Sequence, residues 1–200
     1  MEQTLVRVGA ATPLTGSERA AVAVVAVAVA GFGTYGFATG APSTVAYLAT
    51  VVAVGVVVAR CRRAPLPAPL VAALAGLAVA HLAGGLVPVD GDVLYNASVQ
   101  GQLLRYDHFV HASGAFVGTV VLWTLLVAPA LAAAHRRTGV AVSVLGGLGL
   151  GALNETIEFV TTVVHAGAHV GGYSNTGWDL VSNLVGAVAA GAFLDAQGRA

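Results

Sequence analysis

The sequence predicts an all-α, polytopic integral membrane protein with about six transmembrane helices and both termini in the cytoplasm. Of its 200 residues, 57% are hydrophobic and 9% are charged, against about 25% charged in soluble domains. Several runs without charge are about 18 residues long or more, which is the length that crosses the hydrocarbon core of a bilayer. A basic stripe with interleaved aromatic residues is lacking, so the lipid bilayer, and not nucleic acid, is the expected partner.

The first half of the chain contains three predicted spans. A polar segment precedes the first span, at about residues 19–37, and the second runs from residue 43 to an arginine cluster that begins at Arg60. Three prolines precede the third span, at about residues 70–87. The polar loop that follows, up to residue 106, is the longest of the chain and is expected to lie at a wet interface.

The second half contains three further spans, at about residues 107–134, 140–165 and 178–193. Glycines spaced four residues apart lie on the fourth and fifth spans: Gly114, Gly118, Gly147 and Gly151. Such spacing is typical of helices whose backbones approach closely in lipid. We therefore expect close packing among helices four to six.

The arginines predict how the chain is oriented. In a six-span arrangement, eight of the nine fall on one side: Arg7, Arg19, Arg60, Arg62, Arg63, Arg136, Arg137 and Arg199. Only Arg105 falls on the other side. The eight mark the cytoplasmic face of a cell (plasma) membrane by the positive-inside rule. The chain then divides into a cytoplasmic tail (1–18), helices one to three with an outer loop (19–105), and helices four to six (106–200).

Polar residues follow one face of the fifth predicted helix. Residues spaced by three or four share a helix face, and five polar or small residues follow one another in this way: Gly151, Glu155, Glu158, Thr162 and His165. A charge at the centre of a bilayer costs about 3 kcal/mol. This face is therefore expected to contact protein or water, and the two glutamates are not both expected to be ionised unless a cation balances them.

The fourth and sixth helices carry matching faces. Asp107 and His111 lie one turn apart on the fourth helix, as Asp179 and Asn183 do on the sixth. At about 1.5 Å of rise per residue, the second member of each pair lies about 6 Å further into the membrane. The three faces are therefore predicted to meet near the outer end of the last three helices. His81, alone on the third helix, is expected to be a hydrogen-bonded packing residue.

Three motifs in this half resemble a known family. Residues 107–111 read Asp-His-Phe-Val-His, residues 155–158 read Glu-Thr-Ile-Glu, and residues 178–186 read Trp-Asp-Leu-Val-Ser-Asn-Leu-Val-Gly. Together they resemble the D-x-x-x-H, E-x-x-E and WD-x-x-x-N-x-x-G pattern of YjdF-like inner-membrane proteins and, more distantly, VanZ-like proteins. The resemblance covers roughly residues 106–191.

The resemblance implies site positions without an activity. YjdF-like proteins have no agreed activity, and VanZ-like proteins are associated with glycopeptide-antibiotic resistance by an unsettled mechanism. The matching positions are Asp107, His111, Glu155, Glu158, Asp179 and Asn183.

Metal binding is the leading interpretation of these residues. The ligands would be His111, Asp107, Glu155, Glu158 and Asp179, with Asn183 and His165 in support. One nitrogen with several carboxylates suits Zn, Mn or Fe better than an all-oxygen calcium site. Glu155 and Glu158 are also candidate catalytic residues, since one of them would remain as general base. The protein would then be a metal-dependent enzyme that modifies a lipid or an envelope precursor near its headgroup.

Two other interpretations use the same residues. In the first, protons or ions bind the glutamate pair, and the protein is a coupled transporter or a headgroup-binding protein. In the second, the polar groups cap helices or join them by hydrogen bonds, and the cluster is purely structural. A disulfide within the chain is excluded, because Cys61 is the single cysteine.

Overall fold

The computed structural model describes residues 12–41, 43–100, 104–130, 135–164 and 172–198. Within these residues, six helices are long and apolar enough to cross a membrane: α1 (Gly16–Thr39), α2 (Thr44–Cys61), α3 (Ala68–Leu86), α4 (Tyr106–Ala130), α5 (Arg136–Val164) and α6 (Tyr173–Gln197). The predicted all-α polytopic fold is confirmed. The side of the membrane on which the termini lie stays a prediction.

Two helices begin earlier than predicted. α1 begins at Gly16, inside the predicted tail, because Thr15 and Glu18 form a capping box in which each side chain accepts a hydrogen bond from the backbone N–H of the other. α6 begins at Tyr173 and not at Trp178, directly after an extended Gly172. The first turn of α6 therefore adds polar residues that the sequence analysis had placed in a loop.

The loop between α3 and α4 contains structure that the sequence analysis did not predict. Two short antiparallel pairs form there: β1 (Pro88–Val89) with β2 (Asp92–Val93), and β3 (Ser98–Gln100) with β4 (Leu104–Arg105). Gly91, with φ of 86°, and Asp90, with φ of 50°, turn the first pair in the left-handed region, which glycine and aspartate tolerate best. The second pair ends at Arg105, immediately before α4.

Apolar side chains cover the outward surfaces of the helices. Val27 on α1 and Leu145 on α5, for example, are 73% and 68% exposed. A soluble monomer rarely exposes so much contiguous apolar surface, so these faces suit lipid. Several polar residues of α4, α5 and α6 are instead buried, among them His111, Glu155 and Asp179.

Glycines allow α4, α5 and α6 to pack closely. A Cβ at Gly186 of α6 would overlap the carbonyl oxygen of Ala112 on α4, and Gly151 of α5 lies against Asn183. Gly147 lies against Thr119 in the same way. Gly114 faces open space. This member of the predicted glycine spacing therefore does not mark a close contact.

A buried ion pair joins α1 to the end of α2. Arg62 donates hydrogen bonds from Nε and Nη2 to the two carboxylate oxygens of Glu18, at 2.6 and 2.9 Å. The backbone N–H of Leu66 donates to Glu18 Oε1 at 3.2 Å, and Thr15 donates to Oε2 from both its backbone and its hydroxyl. We call this arrangement the Glu18–Arg62 clasp. It lies at the opposite end of the helices from the α3–α4 loop.

Candidate metal site

The predicted polar residues meet at the end of the helices that carries the α3–α4 loop, which we call the site end. α4 contributes Asp107 and His111 from its first two turns, and α6 contributes Asp179. α5 contributes Glu155 and Glu158 from its last turns. The four carboxylates lie around the imidazole of His111.

The two nitrogens of His111 face different carboxylates. Nε2 lies 3.3 Å from Asp107 Oδ1 and 3.9 Å from both Asp179 Oδ1 and Glu158 Oε1. Nδ1 lies 3.3 Å from Glu155 Oε1. One ligand atom from each of four residues lies within 4.8 Å of all the others: His111, Glu155, Glu158 and Asp179. Asp107 lies beside this group.

The site is buried, and several of its oxygens lack partners. Asp179 is 0% exposed and Glu155 6%, whereas the Glu158 side chain is 30% exposed. Among the described residues, neither oxygen of Glu155 nor Oδ1 of Asp179 has a hydrogen-bond partner. Buried polar atoms are ordinarily paired, so carboxylate oxygens left unpaired around one centre indicate a ligand or protons.

Two asparagines donate hydrogen bonds to carboxylates of the site. Neither was predicted from the sequence to belong to it. Asn154 donates to Glu158 Oε1 at 2.7 Å. Asn175 donates to Asp107 Oδ2 at 3.2 Å and to Asp179 Oδ2. Each asparagine precedes one of its acidic partners by four residues, and this spacing on a helix is the signal that could have found them.

Of the two residues predicted to support the site, Asn183 and His165, only Asn183 lies among the described residues. Asn183 is 3% exposed and lies against Gly151, and its Nδ2 has no hydrogen-bond partner among the described residues. His165 falls outside the described residues, so its contribution stays a prediction. His108 packs its ring against Trp178, with centroids 6.0 Å apart.

His81 forms a separate cluster with the α3–α4 loop. Its Nδ1 lies 2.7 Å from the hydroxyl of Tyr95, and its ring packs edge-on against Tyr47. Burial raises the pKa of the Tyr95 hydroxyl well above its ordinary value, so this tyrosine stays neutral at physiological pH. His81 is therefore a hydrogen-bonded packing residue, as predicted.

The six spans and the buried acid and histidine cluster define a polytopic membrane protein with a candidate metal site. The chain belongs to the DUF2238 family of predicted membrane proteins, whose family model matches residues 20–200. This is the YjdF-like family, so that resemblance is confirmed. The more distant VanZ likeness stays a prediction. Comparison of the chain with curated proteins and with solved structures finds no match in either set.

Proposed function

We propose that this protein is a metal-dependent membrane enzyme whose divalent cation binds between His111, Glu155, Glu158 and Asp179. One observation carries the proposal: four ligand atoms from three helices lie within 4.8 Å of one another. The unpaired oxygens of Glu155 and Asp179 support it, since a cation would supply the charge they lack. A nitrogen with three carboxylates suits Zn, Mn or Fe.

The proposed roles follow from orientation and exposure. His111 would offer the cation one ring nitrogen, and its Nδ1 lies 3.3 Å from Oε1 of the neighbouring ligand Glu155. Asp179 is the most buried carboxylate and would be a ligand. Glu158 is the most exposed member of the group, so we propose it as the general base, with His111, Glu155 and Asp179 as the residues that hold the cation. A bound cation would activate water or polarise a carbonyl or phosphoryl oxygen.

The location of the cluster suggests the class of substrate. Asp107 and Asp179 lie in the first two turns of α4 and α6, at the depth of the lipid headgroups if these helices span the membrane. Tyr95, Tyr106 and Trp178 lie at the same end, and such aromatic residues are enriched at membrane interfaces. The substrate we propose is therefore the headgroup of a lipid or of a lipid-linked envelope precursor.

A proton or ion site is the second candidate function. His111 has a ring nitrogen 3.3 Å from each of Asp107 and Glu155, which a doubly protonated imidazole would also satisfy. Transport would require polar groups through the other half of the helices. There, buried Thr119 and Ser143 donate to carbonyls of their own helices, so they do not extend the cluster. The geometry therefore favours the enzyme.

Metal analysis tests the proposal directly. The full chain, purified in detergent without a histidine tag, is expected to carry about one Zn, Mn or Fe ion per chain. His111→Ala should lose this ion, whereas His108→Ala, which removes a buried histidine from the same helix, should keep it. A parent protein that purifies without these metals, and melts identically with and without each of them, would contradict the proposal and favour the proton site.

A further inference from the structure

We infer that Asn175 is a positioning residue that holds Asp107 and Asp179 so that one oxygen of each faces the cation. The inference rests on the proposed function, because it concerns the same site. It assigns a role to a residue that lies outside the three motifs.

The hydrogen bonds of Asn175 divide each aspartate into a held oxygen and a facing oxygen. Asn175 Nδ2 donates to Oδ2 of both aspartates, and the distance to Asp107 is 3.2 Å. The other oxygens, Oδ1, lie 3.3 Å and 3.9 Å from His111 Nε2. An amide nitrogen has two hydrogens, so each carboxylate receives one. Asn175 thus steers both carboxylates while leaving their Oδ1 atoms to the site.

Arg105 determines which way the Asn175 amide points. Its Nη1 donates to Asn175 Oδ1 at 3.2 Å. In the flipped orientation, the amide oxygen would face two carboxylates and the NH2 group would face a guanidinium, so three hydrogen bonds would be lost. The Asn175 amide therefore has one favourable orientation, with its oxygen towards the Arg105 guanidinium and its NH2 group towards the two carboxylates.

Asn175 lies close to the beginnings of both α4 and α6. Asn175 precedes Asp179 by one turn of α6, and Arg105 precedes α4 by one residue. The asparagine therefore joins the beginnings of the two helices at the point where each presents its aspartate. Asp179 is fully buried and its Oδ1 has no hydrogen-bond partner among the described residues, so a rotated carboxylate would turn its free oxygen away from the site.

The test compares metal affinities of the full chain in detergent, with Zn²⁺ and Mn²⁺ each titrated alone against a chromogenic chelator. Asn175→Leu keeps the size of the side chain and removes both donors. It is expected to weaken binding about 10- to 100-fold, as removal of an outer hydrogen-bond partner commonly does. Asn175→Gln, which restores the two donors, should recover part of the affinity.

The α3–α4 loop supplies a matched control. Asn96 Nδ2 donates to Asp92 Oδ2 at 3.1 Å, also across four residues and at the same end of the molecule. Asn96→Leu should leave the affinity unchanged. If Asn175→Leu does not fold, Asn175→Ser must show the loss. Parent-like affinity in the Asn175 variants would overturn the inference alone, whereas a parent that binds neither ion would overturn the cation site and the inference together.

Discussion

The two ends of the molecule each bury carboxylates, but these carboxylates differ in their hydrogen-bond partners. In the Glu18–Arg62 clasp, both oxygens of Glu18 accept hydrogen bonds from Arg62, and Thr15 and Leu66 add further donors. At the site end, Glu155 is as buried as Glu18, at 6% against 5% exposed. Neither of its oxygens has a hydrogen-bond partner among the described residues.

This difference separates a carboxylate whose charge is balanced within the chain from one that we propose to be functional. The clasp balances its negative charge with a guanidinium of the same chain, so nothing further has to bind there. The site end gathers several carboxylates around one histidine, and there Arg105 Nη1 donates to Asn175 Oδ1. A buried acidic group without compensation costs free energy. The site end therefore needs a cation or protons, whereas the clasp does not.

The largest expected effect is on the clasp. Arg62→Ala leaves Glu18 without its counter-charge and should lower the free energy of unfolding by about 3 kcal/mol, the lower end of the range for buried pairs, because the clasp lies near the helix ends. Reversible unfolding in mixed micelles measures this change. The adjacent and exposed Arg63 gives the control, since Arg63→Ala should change stability by no more than about 0.5 kcal/mol. Equal effects of the two variants would show that the clasp is not a stabilising pair.

A smaller effect is expected when each of the two glutamates, Glu18 and Glu155, is replaced by glutamine. In metal-free protein, Glu18→Gln should destabilise by about 2 kcal/mol, because it weakens hydrogen bonds to a charged group. Glu155→Gln should destabilise less than Glu18→Gln, since neither oxygen of Glu155 accepts a hydrogen bond and its ion-pair distance to His111 Nδ1 is 3.3 Å, against 2.6 Å between Glu18 and Arg62. The same unfolding assay measures both. If Glu155→Gln destabilised the metal-free protein as much as Glu18→Gln does, the carboxylate would be structural and the contrast between the two ends would fail.

Thiol labelling tests whether the two ends lie on opposite sides of the membrane, and its cysteine substitutions are expected to have the smallest effect on the protein. In a variant without Cys61, Gly172→Cys at the site end should react with an impermeant thiol reagent added to intact cells. Thr138→Cys, near the other end of α5, should react only after the cells are opened. Both positions are exposed, so neither substitution should change stability. The reverse labelling pattern would invert the predicted orientation.

The spans and the acidic face were predictable because each depends on short stretches of sequence. Lipid excludes most charge over the length of a helix, so long apolar runs with few charges marked all six spans. The helical period placed Glu155 and Glu158 on one face, and it placed Asp107 with His111. These inferences needed no knowledge of how one helix packs on another.

Contacts between helices were harder to predict. Glu18 and Arg62 are 44 residues apart, and Arg62 already had a sufficient local explanation as a marker of the cytoplasmic side. Asn175 was missed for another reason. The apolar run of α6 begins near Trp178, and the earlier start of the helix is held in place by contacts that cross to α4, such as that between Asn175 and Asp107.

The glycine contacts among α4, α5 and α6 bear on which ions the site could accept. Gly186 meets the backbone of Ala112, and Gly151 meets the buried side chain of Asn183. These contacts hold the three helices close together one to two turns below the ligand atoms. A rigid cavity discriminates between cations by size and coordination number, whereas a flexible one adapts to several. The site is accordingly expected to reject large ions such as Ca²⁺ even though most of its ligand atoms are carboxylate oxygens.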